Sequence, residues 1–249
     1  MRKPVMAGNW KMYKTPAETT AFFEKFRPLV EKSTHCEIVI CPPFTNIAAA
    51  VAAAKGSTIQ IGGQNIAWAR EGAFTGEISG AMLTAVGASH AIVGHSERRQ
   101  YFGETDETVL KRTVAALDAG LTPIVCVGER LEERESGGTE AVLVSQFTKG
   151  IAGLTGQQFA KIVIAYEPVW AIGTGKTATP EIAADAHRVI REQVKAKFGK
   201  EAADAVRILY GGSVKPDNVK SLMAQPEIDG SLVGGASLDA GSFASIVNF

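Results

Sequence analysis

Short apolar runs of strand length recur along the whole chain, and amphipathic helical patterns fill the intervals between them. The run Ile162-Val163-Ile164 is β-branched throughout, which is typical of a parallel strand buried on both faces. Eight strands are predicted in all, at residues 5–9, 37–41, 58–64, 90–94, 122–127, 161–166, 206–210 and 227–233. Strands that alternate with helices in this way predict an α/β fold built on a parallel sheet.

Start and stop signals predict several of the helices. The segment Thr15-Pro16-Ala17-Glu18 combines an N-cap, a proline at the first helical position and a capping-box Glu. Pro28 should end or kink that helix, because proline lacks a backbone donor. A second apolar stripe stops at Gly120, and a third helix begins at Thr179-Pro180 and ends near Gly199.

No linker or shift in composition divides the 249 residues, of which 45% are hydrophobic. Eight unbroken strand–helix units favour a closed (β/α)8 barrel over an open doubly wound sheet, with residues 1–249 as a single domain. The formal net charge of zero argues against nucleic acid or an anionic membrane as the main partner. The chain also shows no signal peptide and no transmembrane run.

The three cysteines, Cys36, Cys41 and Cys126, lie in or beside predicted strands. Their number is odd, and no Cys-x-x-Cys spacing occurs. We therefore expect reduced cysteines that serve packing in a cytoplasmic protein, in preference to a cysteine nucleophile.

The segment from Tyr166 to Lys176 is the strongest candidate for chemistry. Glu167 directly follows a predicted strand, where a parallel barrel places its functional groups. The loop after it is apolar in the middle, carries Trp170 as an exposed-looking residue, and ends rich in glycine. This composition favours a lid that closes over a ligand beside Glu167. A loop packed permanently on the surface is the alternative.

Other polar or glycine residues follow the remaining strands: Asn9, Lys11, Gln64, Asn65, His95, Gly211-Gly212-Ser213 and Gly234-Gly235. His95 stands at a predicted helix start, where the helix dipole disfavours a charged imidazole. A neutral imidazole there can donate a proton to a developing oxyanion. The alternatives are a simple helix cap for His95 and a solvated lysine for Lys11.

The two glycine-rich turns indicate an anion site. Gly212-Ser213 precedes a helix predicted at residues 216–223, and Gly234-Gly235 precedes a short final one. Free backbone N–H groups at helix starts bind phosphate, and we favour this over plain turns. The segment Gly175-Lys176-Thr177 does not complete an ATP-binding loop, since Trp170 stands where that motif needs glycine. A carboxylate base, a neutral His, a Lys cation, a phosphate site and an apolar lid together suit proton abstraction beside the carbonyl of a small phosphate ester.

Six motifs in order give the chain a resemblance to the triosephosphate isomerase family along its whole length. They are Gly8-Asn9-Trp10-Lys11, Gly72-Ala73-Phe74-Thr75-Gly76-Glu77, Gly94-His95-Ser96-Glu97-Arg98, Glu167 to Lys176, Tyr210-Gly211-Gly212-Ser213 and Gly234-Gly235. The resemblance implies a (β/α)8 TIM barrel that interconverts dihydroxyacetone phosphate and glyceraldehyde 3-phosphate. It implies neither a cofactor nor a metal.

The resemblance also implies a role for each site residue. Glu167 is the base, His95 the electrophile, and Lys11 supplies positive charge. Asn9 helps to position the substrate, and Glu97 is a second acidic group beside the site. The backbone N–H groups expected to bind phosphate are those of Gly173, Ser213, Gly234 and Gly235.

The stretch from residue 65 to residue 80 is long for a βα loop and carries Phe74. Taken alone, it predicts either a second lid or a docking loop. The resemblance implies docking, with Thr75 reaching towards the active site of the partner in a homodimer. The residues themselves are also compatible with two other functions. The chain could be an aldolase that forms a Schiff base through Lys11, or a non-catalytic barrel protein.

Overall fold

The protein folds into a closed barrel of parallel strands, seen in a computed structural model that describes residues 2–172 and 177–249. The strands of these residues are β1 Val5–Asn9, β2 Glu37–Cys41, β3 Gln60–Gly63, β4 His90–Val93, β5 Thr122–Val127, β6 Val163–Tyr166, β7 Ile208–Tyr210 and β8 Gly230–Val233. Each strand pairs with the next in the chain, and β1 pairs with β8 to close the ring. The predicted barrel is confirmed.

Helices surround the barrel and connect its strands. Within the described ranges they are α1 Pro16–Val30, α2 Ile47–Ala54, α3 Gly80–Ala85, α4 Ser96–Phe102, α5 Asp106–Asp118, α6 Leu131–Glu135, α7 Thr139–Gly150, α8 Gly156–Phe159, α9 Pro180–Phe198, α10 Lys200–Ala205, α11 Val219–Met223 and α12 Ala240–Val247. In the described part of the chain, the connections also contain short 3₁₀ turns at Phe44–Asn46, Val169–Ala171 and Gly235–Leu238.

The predicted caps of α1 and α9 are confirmed. The side chain of Thr15 accepts the N–H of Glu18, and the Glu18 carboxylate accepts the N–H of Thr15 in return. Thr179 caps α9 by accepting the N–H of Ile182, without a reciprocal bond. Pro28 does not stop α1 at once, because it falls in the last turn and removes only one hydrogen bond there.

The helix predicted at residues 216–223 begins only at Val219. The reason is local: the side chain of Asn218 accepts the N–H of Lys215 at 2.8 Å and donates to the carbonyl of Ser213 at 3.0 Å. These bonds hold residues 213–218 as a turn, since Asn side chains compete with helical backbone pairing. Strands β3, β4, β6, β7 and β8 are likewise shorter than predicted.

Two apolar layers position the strand ends. Alternate strand residues fill the barrel interior, among them Val5, Val39, Ile92, Ile124 and Leu209. The outward-facing residues pack beneath the helices in a separate, larger cluster. Because every strand is buried on both sides, the barrel is a rigid base for the loops at its carboxyl end.

The three cysteines are free and buried, as expected for packing residues. Across residues 2–172 and 177–249, no helix combines the length and apolar character needed to cross a membrane.

His187 of α9 is a buried titratable group beneath the barrel helices. Its Nδ1 lies 3.0 Å from the carbonyl oxygen of Glu227, so this nitrogen carries a proton. Its ring meets that of Tyr166 edge-on, with centroids 5.7 Å apart. Burial lowers the pKa of His187 to about 4.

This lowered pKa predicts a loss of stability in mild acid. The unfolded chain binds a proton on His187 near pH 6.5, and the folded chain only near pH 4, so the contribution is complete above pH 6.5 and falls as pH drops through that window. We expect roughly 3 kcal/mol of unfolding free energy to be lost by pH 4 relative to His187→Asn. Urea unfolding at several pH values measures the unfolding free energy of both proteins. If it changed with pH in the same way for wild type and His187→Asn, the prediction would be contradicted.

Candidate active site

The carboxyl ends of the strands bring most of the predicted site residues into one pocket of about 540 Å³. The predicted residues that line it are Asn9, Lys11, His95, Glu167, Ser213, Gly234 and Gly235. Glu97 lies instead in an adjoining pocket, which Asn9, Lys11 and His95 also line. Gly173, the remaining predicted phosphate ligand, lies outside the described residues. Residues from separate segments of the chain therefore form one contiguous site, because each lies at or just after the carboxyl end of a barrel strand.

Glu167 is held at the end of β6 by both its backbone and its side chain. Its N–H donates to the carbonyl of Val127 at 2.7 Å. Its carboxylate accepts the N–H of Ser96 at 2.9 Å and lies 2.8 Å from Nε2 of His95. Burial acts to raise the pKa of Glu167, but His95 and the Ser96 N–H outweigh it, and the net shift is downward. The carboxylate is therefore ionised, as a base must be.

His95 stands at the start of α4, as the sequence predicts, and its side chain also caps that helix. The N–H of Glu97 donates to its Nδ1 at 3.2 Å, so Nδ1 is unprotonated and the proton resides on Nε2, facing Glu167. Burial acts to lower the pKa of His95, while the charge of Glu167 acts to raise it, and the net shift is upward. The upward shift of the His95 pKa depends on the negative charge of Glu167. When the Glu167 carboxylate accepts a proton, this contribution is lost, and burial then favours the neutral imidazole.

Lys11 has an unusual backbone conformation, with φ of 50°. Three contacts fix it: its N–H donates to Asn9 Oδ1 at 3.1 Å, its carbonyl accepts from Gln64 Nε2 at 2.8 Å, and its ammonium lies 2.6 Å from Glu97. A non-glycine residue at positive φ costs energy and persists where surrounding contacts hold it, which is common at functional sites. Gln64, to which the sequence assigned no role, thus fixes the backbone of this cation.

The glycine-rich turns after β7 and β8 meet the lysine loop across the pocket. A Cβ added to Gly234 would lie only 3.6 Å from Cε of Lys11, so the lysine stem passes over this turn. Gly234 caps the 3₁₀ turn Gly235–Leu238, which matches the short helix expected there. The turn at Ser213 precedes no helix directly, so the anion site cannot draw on the dipole of a helix at that point.

The first part of the lid segment, defined as residues 167–172 here, differs from its prediction at one residue. Trp170 was expected to be exposed, but it is buried. Its indole Nε1 donates to Oε1 of Glu129 at 2.8 Å, and Tyr166 donates to the same oxygen at 3.0 Å. Glu129 follows β5, so the rule for strand ends could have found it. It anchors the base of this loop. Residues 173–176 of the predicted lid lie outside the described chain.

Gly128, beside Glu129, is a point of close backbone approach. A Cβ added there would lie 1.7 Å from the carbonyl oxygen of Glu167. The amide of Gln146 completes the junction, accepting the Gly128 N–H at 2.7 Å and donating to its carbonyl at 3.0 Å. Only glycine allows β5 and β6 to meet this closely behind the carboxylate.

Among the residues that the structure describes, no group of three or more His, Cys, Asp or Glu side chains could hold a metal ion. The groups gathered at the site are instead a carboxylate, an imidazole and an ammonium beside two glycine-rich turns. On a closed parallel barrel, this combination defines the class of the protein: a barrel enzyme for acid–base chemistry on a small anionic molecule.

Comparison with known proteins gives the particular family. The family model for triosephosphate isomerase matches residues 4–249. The chain is 82% identical to the triosephosphate isomerase of Solibacter usitatus, with both chains covered completely, and 59% identical to that of Citrifermentans bemidjiense, with 100% and 99% covered. A crystal structure of triosephosphate isomerase from Bartonella henselae aligns with a TM-score of 0.89 at 40% identity, covering 99% of this chain and 98% of that one.

The chain belongs to the triosephosphate isomerase family, and the resemblance drawn from its motifs is confirmed. It is thus an aldose–ketose isomerase. The reaction of this family interconverts dihydroxyacetone phosphate and glyceraldehyde 3-phosphate, a step of glycolysis.

Proposed function

We propose that Glu167, His95 and Lys11 carry this isomerisation through an enediolate intermediate. Glu167 removes a proton from the carbon beside the carbonyl and returns it to the neighbouring carbon. The observation that carries the proposal is a buried carboxylate whose Oε1 lies 2.8 Å from Nε2 of His95, while Nδ1 of the same ring accepts the N–H of Glu97. Such a pair supplies a base and a proton donor within reach of one small molecule.

His95 handles the oxygens of the substrate in this proposal. Its Nε2–H can donate to the carbonyl oxygen and then to the hydroxyl oxygen as negative charge develops on each. The helix start at Ser96 favours the neutral ring, and protonation of Glu167 removes the charge that opposes it. The acid and the base of the reaction therefore adjust each other's proton affinity during the proton transfer.

The positive charge and the phosphate contacts come from the loops around this pair. Lys11 faces the developing oxyanion with its ammonium, Asn9 helps to position the substrate, and Glu97 supports the ammonium through their ion pair. Gly173, Ser213, Gly234 and Gly235 offer N–H groups to the phosphate, and the lid segment closes over it. Exclusion of water strengthens each electrostatic contact and protects the intermediate.

The rival Schiff-base aldolase would use Lys11 as its nucleophile. The nitrogen of Lys11 is engaged in an ion pair with Glu97 at 2.6 Å, whereas a Schiff-base nucleophile must be free to attack a carbonyl. The structure thus favours Lys11 as a cation rather than a nucleophile.

Turnover of glyceraldehyde 3-phosphate, coupled to a dehydrogenase that consumes dihydroxyacetone phosphate, tests the proposal. EDTA in the assay tests independence from divalent metal at the same time. We expect fast turnover with EDTA and no covalent adduct after borohydride treatment. A trapped adduct on Lys11 would support the aldolase, and a folded protein without turnover would support the non-catalytic alternative.

We also propose that the chain forms a homodimer through the loop around Thr75. This loop carries Trp68 and Phe74, which are exposed and pack edge-on with centroids 5.8 Å apart. A groove of about 480 Å³ beside the active site is lined by further exposed residues: Met12, Tyr13, Tyr101 and Phe102. An apolar projection and an apolar groove on one chain are what a two-fold symmetric, self-complementary interface requires.

Thr75→Arg should therefore yield a monomer with much reduced activity. A buried, unpaired charge is costly at an interface, and the groove that the loop would fill borders Lys11 and His95. We expect dissociation in sedimentation-velocity runs and a loss of kcat of about tenfold or more. Thr148→Arg, at an exposed position of α7, is the matched control. A fully active Thr75→Arg dimer would contradict the proposed interface.

The remaining proposals concern the chain as a whole. We propose that residues 1–249 act as one catalytic domain and that the protein is cytoplasmic, with neither nucleic acid nor membrane as a partner. The continuous ring of strands supports the single domain. The three free, buried cysteines suit a reducing compartment.

A further inference from the structure

The pocket that holds the catalytic groups extends to an exposed lysine on its rim, Lys215. Lys215 follows Ser213 by two residues, and Ser213 belongs to the proposed phosphate site. Within residues 2–172 and 177–249, the ammonium of Lys215 makes no ion pair. A cation at this place therefore needs a functional account.

The backbone at Lys215 is fixed even though its side chain extends into solvent. Asn218 accepts the N–H of Lys215 at 2.8 Å and donates to the carbonyl of Ser213 at 3.0 Å. Through Asn218, these two bonds connect the backbone of Lys215 to the turn that borders the phosphate site. The ammonium can move only about a fixed origin at the mouth of the pocket.

Among the described residues that line the pocket, Lys215 is the cation without a carboxylate partner. Lys11 is already paired with Glu97 at 2.6 Å, which weakens its attraction for an anion at long range. The carboxylate of Asp239 caps α12, accepting the N–H of Ser242 at 2.8 Å. The whole chain has a formal net charge of zero, so it provides no general attraction for a dianion. Attraction at long range must come from local charge near the mouth.

We propose that Lys215 steers the phosphate ester into the pocket, acting on its capture and not on the chemical step. The proposal rests on the proposed function for its substrate. An exposed charge beside a narrow opening raises the association rate of an oppositely charged ligand, and salt weakens this effect. Lys215 accordingly acts on substrate association, whereas Lys11 contacts the substrate after it has bound.

Steady-state kinetics with charge variants test this role at low and high ionic strength. At about 10 mM ionic strength we expect Lys215→Gln to lower kcat/KM by roughly two- to threefold and Lys215→Glu by roughly five- to tenfold, with kcat unchanged. Near 0.5 M the difference should fall below about twofold. Lys220 of α11 is exposed and does not line the pocket, so Lys220→Glu is the matched control.

Turnover of glyceraldehyde, which lacks the phosphate, distinguishes a loss of electrostatic steering from damage to the active-site structure. Its turnover should be the same in wild type and Lys215→Glu, because the molecule is neutral. A loss that persists at high salt, extends to glyceraldehyde, or recurs in Lys220→Glu would overturn the proposal.

A binding measurement keeps the test independent of isomerase activity. Calorimetry with inorganic phosphate at low salt should show weaker binding to Lys215→Glu than to Lys220→Glu. If wild type fails to isomerise triose phosphates, the proposed function fails, and this comparison still decides whether Lys215 attracts a phosphate dianion. Equal affinities would reject Lys215 as the attracting charge.

Discussion

Glu167→Gln should lower kcat by about 10³- to 10⁴-fold while the protein keeps its fold and its affinity for phosphate. The amide has nearly the size and shape of the carboxylate, and its oxygen can still accept the Ser96 N–H that Glu167 accepts at 2.9 Å. It cannot take a proton from carbon. The substitution therefore removes the base, and it replaces the acceptor oxygen that faces His95 Nε2 with an N–H donor.

Three measurements on this variant distinguish the loss of the base from a loss of structure. The coupled assay gives kcat, and NMR in D₂O shows whether the substrate's carbon-bound hydrogen still exchanges. Calorimetry with inorganic phosphate reports whether the pocket is intact. Glu135→Gln removes an exposed carboxylate from α6 and should match wild type. A kcat within tenfold of wild type in Glu167→Gln would exclude Glu167 as the base.

Gly128→Ala should reduce kcat by roughly 100-fold without touching any group that contacts substrate. The new Cβ would lie 1.7 Å from the Glu167 carbonyl oxygen and 2.6 Å from its carbonyl carbon. Both neighbours are backbone, so β5 or β6 must move. A displacement of about 1 Å at the carboxylate is enough to misalign proton transfer.

Gly156→Ala is the matched control, since a Cβ at Gly156 in α8 meets nothing within 4 Å. The overpacked Gly128→Ala should also lose about 1–3 kcal/mol of stability, which urea unfolding would measure. If Gly128→Ala retained wild-type kcat, the close contact behind Glu167 would not govern its position.

The barrel and most of the pocket followed from the sequence because both depend on local patterns. Apolar runs of strand length give the sheet, and the residue after each run lies at its carboxyl end. Glu167, His95 and Lys11 could be placed in this way. The roles of the individual residues remain a proposal, for which Glu167→Gln is the decisive experiment.

Two local predictions were wrong because distant or competing contacts decided them. Trp170 is buried through a hydrogen bond to Glu129, 41 positions earlier in the chain. The helix expected from residue 216 starts late because the side chain of Asn218 satisfies the backbone before it. The contact between Glu167 and the Ser96 N–H spans 71 positions. Patterns in a short window contain no information on such pairs.

Closure of the ring between β1 and β8 has a consequence for biosynthesis. Val5 pairs with Gly230, so β1 leaves the ribosome long before its partner strand β8 is synthesised. Until then the nascent chain exposes two unpaired strand edges, which are prone to association with other chains. The turn at Gly234 and Gly235 also emerges late, so a chain truncated by ribosome stalling would lack part of its site. Isomerase activity in a cell extract would therefore report only polypeptides whose synthesis has passed β8 and the turn at Gly234 and Gly235.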